Sequence, residues 1–257
     1  MTLTAAIALG FAPMALAAEK AGPVRFGTLE ATPASAAKAK AAAWLKDSGK
    51  TDSAAQAQFD KIWAEDVSVL DRVIRTFELG DPAVAKLLAD ARDPGTVAPT
   101  QIPDLLKSAK DTFFKANLAF AYGRSLSARS VHEEAIEAFK QTVPEQVVDP
   151  ASYLFHRALS EHALLEKAAA IKTIDRLLDD VGTAPERYRT VAALMALDMH
   201  TWSEKDLDSI ARKMKNVERR LDLSRGGPKT QKIQKEIVAR LDEMIKELEN
   251  KSKGNGT

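Results

Sequence analysis

The residues to weigh first for chemistry are the four histidines, His132, His156, His162 and His200. An imidazole can act as acid, base or metal ligand near neutral pH. Their spacing assembles no such role. His156 and His162 stand six residues apart, which on one helix turns them to different faces. The sequence has no H-E-x-x-H, no histidine pair at i,i+4 and no acidic loop of EF-hand form. Ser35-x-x-Lys38 has the spacing of a serine nucleophile with its lysine, but the SDN and KTG segments that complete that machinery are missing. G-x-S-x-G, P-loop and G-x-G-x-x-G patterns are missing too. What remains is guanidinium: Arg219, Arg220 and Arg225, and the run Glu186-Arg187-Tyr188-Arg189. Such groups either cradle a carboxylate or phosphate or tie neighbouring helices by ion pairs. The expectation is a chain that is not an enzyme and has neither a cofactor nor a metal site.

The elements that carry these residues all read as helices. From 54 to 79 the apolar positions Phe59, Ile62, Trp63, Val67, Leu70, Val73, Ile74 and Phe77 advance by steps of three and four, the signature of an amphipathic helix. Gly80 stops it and Asp81-Pro82 opens the next, with Asp as cap and Pro in the first turn. Three prolines within 93–103 exclude an ordered helix and mark an internal boundary. Helices are then expected over 102–127, 130–142, 150–164, 166–180, 183–200, 204–223 and 229–249, with Ser203-x-x-Asp206 resembling a capping box. No window alternates as a strand would. The fold class is all-α. Trp44, Trp63 and Trp202 are expected in the core.

Length and composition allow one or two soluble domains: 257 residues, 45% hydrophobic and 28% charged, with a net charge of +1. That balance supplies no overall field for nucleic acid or a membrane surface. Residues 1–18 are uncharged, apolar from Ala5 to Leu16, and end in Ala15-Leu16-Ala17, an A-x-A site. They read as a secretory signal peptide, which predicts export to the periplasm or beyond. With no cysteine there is no disulfide and no lipid-modified anchor. The rest divides into a linker (19–33), an N-terminal helical subdomain (34–92), the Pro-rich break (93–103), helical hairpins (104–228), a terminal helix (229–251) and a tail (252–257).

The most informative pattern is a period of 35 residues. Gly123, Ala135 and Phe139 recur as Ala158, Ala170 and Ile174. Small, then small twelve residues on, then large apolar four further on, suits two helices that cross closely at small residues, repeated as a stack of hairpins. Residues 116–142 resemble a tetratricopeptide repeat: Gly123 falls on the small position of that family's first helix, and Ala135 and Phe139 on the small and aromatic positions of its second. The family's tryptophan position is Ala119 here, and a third unit aligns only with an insertion. The resemblance implies a right-handed helical-hairpin solenoid that binds another protein or peptide. The groove would then run along the first helices, past Asn117, Tyr122, Arg124, Tyr153, Arg157 and Glu161.

The C-terminal half, on stretches such as Ala158-Leu159-Ser160-Glu161-His162 and Arg219-Arg220-Leu221-Asp222-Leu223-Ser224-Arg225-Gly226-Gly227, is also similar to an uncharacterised group of exported helical proteins from planctomycete-type bacteria. That implies export and a helical repeat, and supplies no activity. In the terminal helix Ile237, Leu241, Met244 and Leu248 repeat at four, three, four. They either cap the hairpin stack by packing on the preceding helix or pair with a second copy as a coiled coil. Residues 212–257 hold 13 Lys/Arg against 7 Asp/Glu, a basic end of +6 that reads as a solvated helix face, since it lacks the aromatic residues that stack on bases. The function expected is an exported, non-enzymatic interaction scaffold. The alternative is a self-associating structural protein of the cell envelope, joined through that helix.

Overall fold

A computed structural model describes residues 26–254. The expected signal peptide lies outside them, as do residues 255–257 of the expected tail. The described residues form twelve α-helices and no strand. The N-terminal four are α1 (Ala34–Asp47), α2 (Ser53–Ala64), α3 (Val69–Gly80) and α4 (Pro82–Arg92). The single helix expected over 54–79 is thus two. Ser68 caps α3 by accepting the Asp71 amide at 3.1 Å, and this local competitor for the backbone ends the continuous ladder. Asp81 caps α4, with Pro82 in its first turn. The helix expected over 102–127 likewise splits into α5 (Asp104–Ser108) and α6 (Thr112–Ala128), where Asp111 accepts the Phe114 amide at 2.6 Å.

These helices share one core. Trp44 of α1 stacks on Phe114 of α6 with centroids 4.9 Å apart, and Phe77 of α3 meets both edge-on at 4.7 and 4.9 Å. Gly80 is required for that contact: a Cβ there would stand 2.4 Å from the Trp44 ring. The Pro-rich segment therefore breaks the helices but not the core. Residues 19–25 of the expected linker lie outside the described residues, but its described part, 26–33, is engaged, since the Gly27 and Leu29 amides donate to Asp179 and Asp180 carbonyls at 2.8 and 2.9 Å.

The 35-residue period is visible in space. Helix α6 forms a hairpin with α7 (His132–Phe139), and α8 (Pro150–Ala163) with α9 (Lys167–Asp179). A Cβ at Gly123 would lie 2.7 Å from the Phe139 ring, so the small residue lets the two helices of the first hairpin close. Ala158, Ala170 and Ile174 are fully buried at the equivalent places of the second. The turns match as well. Ser130 and Leu165, 35 apart, both take the left-handed conformation, at φ 61° and 62°. In each the next amide reaches back five residues, Val131 to Leu126 and Glu166 to Glu161, both at 2.9 Å, which closes the helix end without glycine.

The period then lapses. Helix α10 (Glu186–His200) packs on α8 and α9, but α11 (Leu207–Asp222) does not fold back along it. It pairs instead with the long C-terminal helix α12 (Pro228–Gly254), around a small core of Ile210, Val217 and Ile237. Helix α11 begins later than expected because Asp206, not Ser203, is its cap, accepting the Ser209 amide at 2.7 Å. No helix among the described residues is long and apolar enough to cross a membrane.

Candidate functional site

Because α11 leaves α10, a cleft of about 840 Å³ opens between them. Its walls are the C-terminal ends of α8 and α10, the α6–α7 turn and one face of α11. Asp198, in the last turn of α10, organises one wall. Its carboxylate accepts the Trp202 indole N–H at 2.9 Å and meets His162 Nε2 of α8 at 3.1 Å. The Trp202 ring lies 5.2 Å from the His162 ring and 4.9 Å from the Arg212 guanidinium of α11, which spans the cleft above it. Burial works against ionisation of Asp198, but the hydrogen bonds from His162 and Trp202 outweigh it and hold the carboxyl below its ordinary range. Arg129, Lys215 and Arg219 supply further cations, and Asp208, Glu218 and Asp222 further carboxylates. The lining is therefore charged but balanced. It offers an indole, an imidazole and hydrogen-bonding groups of both kinds to a bound molecule. Among the described residues no cluster of His, Asp and Glu is arranged to hold a metal ion.

Trp202 is half-buried at this rim and packs against the edge of the main core, whereas the Trp63 indole N–H donates to Thr76 Oγ1 at 3.1 Å inside the protein. The other histidines have separate surroundings. His132 is buried, with Nδ1 3.2 Å from Ser160 Oγ, and burial lowers its pKa to about 4. His156 is lowered by burial to about 4 as well and leaves Nδ1 without a partner. His200 is exposed. Lys38 turns toward Asp60, 3.7 Å away, on the exposed surface of the N-terminal helices, so the Ser35–Lys38 pair stands apart from the cleft.

The arginines tie helices together. Arg219 grips Glu133 of α7 with two nitrogens, at 2.8 and 3.1 Å, Arg220 donates to the same carboxylate, and Arg225 lies 3.5 Å from it and 2.9 Å from Glu134. Arg187 lies over the ring of its neighbour Tyr188, 5.0 Å from the centroid, and belongs to a different surface.

The groove residues expected on the first helices lie mostly inside. Asn117, Tyr122, Tyr153 and Glu161 are buried, and Arg124 and Arg157 half-buried. Asn117 accepts the Val148 amide at 2.9 Å, Tyr153 donates to the Phe139 carbonyl at 2.8 Å, and Glu161 is held by Arg157 at 2.8 Å and Thr173 at 2.6 Å. Arg124 pairs with Asp71 of α3 at 2.6 Å. The physical reason is that neighbouring elements cover both helices: α3, α4 and the α7–α8 connection lie against α6, while α6, α7 and α9 enclose the residues on α8. These six residues are polar mortar and not a peptide-binding surface.

Of the four expected self-association residues, Ile237 is buried and Met244 half-buried against α11, while Leu241 and Leu248 are exposed. Half of that stripe is thus spent inside the α11–α12 hairpin.

Sequence reasoning passed over Asp198, Arg212 and the joint role of His162 and Trp202. One signal was there: Asp198 and Trp202 are four apart, facing the same way at a helix end.

No family model, curated protein or solved structure matches this chain, so the sequence resemblances carry no family assignment.

Proposed function

We propose that this chain is an exported, non-enzymatic interaction module that holds a segment of another protein in the cleft between α10 and α11. Tetratricopeptide-like hairpins serve as its frame. The matching turns at Ser130 and Leu165 and the close crossing at Gly123 support the repeat reading. The uncharged segment 1–18 supports export. The observation that carries the binding reading is the Trp202 indole, fixed by Asp198, flanked by His162 and bridged by Arg212 at the mouth of a cleft whose volume suits a short segment of chain. Aromatic and arginine side chains in such positions are those that dominate binding energies.

Capture from envelope extract of the source organism tests this, with the wild type compared with Trp202→Ala and Arg212→Glu. One protein retained by the wild type and lost by both variants, at unchanged melting temperature, is the expected result. Equal retention by all three would overturn the placement in the cleft.

A further inference from the structure

Helix α10 stands where the repeat calls for the first helix of a third hairpin, and the second helix of that hairpin is missing. Ala193 lies 35 residues beyond Ala158, as Ala158 lies 35 beyond Gly123. Gly123 is closed over by the Phe139 ring of α7, and Ala158 is fully buried in the α8–α9 hairpin. Ala193 is exposed. Its neighbours follow the same rule. Ala116 and Ala119 of α6, and Ala151 and Leu154 of α8, are buried, whereas their equivalents in α10 are the exposed Glu186 and the half-buried Arg189. With Leu194, Leu197 and, from α9, Leu178 and Asp179, these positions of α10 line an open groove of about 580 Å³. The chain itself does not fill it. At 35 residues after Ala170 and Ile174 stand Lys205 and Ser209, and α11 departs to pair with α12.

A helical stack that ends in solvent is polar across its last face. Here Leu194 and Leu197 remain 59% and 63% exposed. The two complete hairpins say what covers such a face. In both it is an antiparallel helix with a small residue followed four positions on by a large apolar one, Ala135 and Phe139 in α7 and Ala170 and Ile174 in α9. Neither α11 nor α12 contains that pair, so neither supplies it from a second copy. The charges of the groove say more. Asp179 and Glu186 lie at the end where the last turn of an antiparallel helix arrives. Glu186 accepts the Thr190 hydroxyl at 3.4 Å, and among the described residues neither carboxylate is in an ion pair. Arg189 alone stands against them in the groove, so that end is acidic.

We propose that the outer side of α10 is a docking site for an amphipathic α-helix of another protein. That helix lies antiparallel to α10, sets a large apolar side chain over Ala193 and brings a basic last turn to Asp179 and Glu186. It thereby completes the third hairpin, as a helix laid in a groove. The groove shares no lining residue with the cleft between α10 and α11, so either reading can fail without the other.

The probe is a labelled synthetic peptide of residues 166–181, the α9 sequence that covers the equivalent face of α8, titrated with the whole chain by fluorescence anisotropy. A second peptide carries Asp179→Lys and Asp180→Lys, which make its last turn basic. A free helix of this length is marginal and orders on binding, so dissociation constants of ~50–500 µM are expected. The basic-ended peptide should bind at least ~3-fold more tightly than the unaltered one, and a scrambled peptide of the same composition at least ~10-fold more weakly. Ala193→Arg, a bulky change at an exposed position, should weaken both peptides ~10-fold or more at unchanged melting temperature. Glu186→Lys should remove the preference for the basic end. No saturation by ~2 mM, equal binding of the scrambled peptide, or indifference to both Ala193→Arg and Glu186→Lys would overturn the proposal. So would a homodimer, read by light scattering, that Ala193→Arg dissociates, because the occupant would then be a second copy.

Discussion

A principal contact that fastens the α11–α12 hairpin to the body is ionic, which makes it measurable. Glu133 of α7 sits among Arg219, Arg220 and Arg225 with its side chain only 17% exposed. Burial opposes its ionisation, yet the Arg219 hydrogen bonds and charge, followed by the Arg220 charge, win and hold its pKa at about 2 against an ordinary 4.5. That difference corresponds to ~3 kcal/mol of folding stability at neutral pH. A depressed carboxyl contributes its full share above the unfolded value, and the share disappears as pH falls from 4.5 through about 2. Glu133→Gln removes the charge and keeps the shape. At pH 7 it should cost ~3 kcal/mol or somewhat less, since the freed guanidinium groups regain water, and lower the melting temperature by ~6–12 °C for a chain of this size. The wild type should lose stability between pH 4.5 and 2 more steeply than the variant. If the hairpin detaches before the rest unfolds, the loss will show first as faster amide exchange over 207–254. A melting temperature within ~1 °C of wild type, with the same acid profile and the same exchange, would refute the reasoning.

Other predictions follow from single positions. Gly123→Ala places a methyl 2.7 Å from the Phe139 ring and should cost ~1–3 kcal/mol by denaturant titration, most of it recovered when Phe139→Leu is added. Ser130→Gly, at an exposed position with φ 61°, should stabilise by ~0.5–1 kcal/mol, read as a rise in the unfolding midpoint. Burial lowers the His156 pKa from 6.5 to about 4, so the group is neutral in the fold and favours it fully above 6.5. That contribution is lost as pH falls toward 4, and His156→Leu should flatten the stability curve over this interval.

The sequence shows helix class plainly because the 3.6-residue period depends only on local spacing. It also holds the 35-residue repeat, down to Ser130 and Leu165 occupying equivalent turns. The breaks before Val69 and Thr112 were hidden, since apolar steps run on through Val67 to Leu70 and from Leu106 to Phe113 while Ser68 and Asp111 cap new helices. The groove was misplaced because whether Asn117, Tyr153 and Glu161 face solvent depends on the α7–α8 connection, α7 and α9 packing over them, contacts no local pattern encodes. The seam of α12 was ambiguous for a different reason. The rows through Ile237 and Met244 and through Val238 and Ile245 share Leu241 and Leu248, and only the position of α11 decides which is occupied. The cleft needed the departure of α11 from α10, where the repeat fails.

The most direct test of the binding reading is site-specific photo-crosslinking in envelope extract, with the photoreactive group placed at exposed Lys215 on the α11 wall of the cleft in one preparation and at exposed Asp60 of α2 in another. The account predicts one protein joined from position 215, absent from position 60 and lost when Trp202→Ala is added. Identical products from both positions, or a product from 215 that survives the Trp202 change, would contradict it.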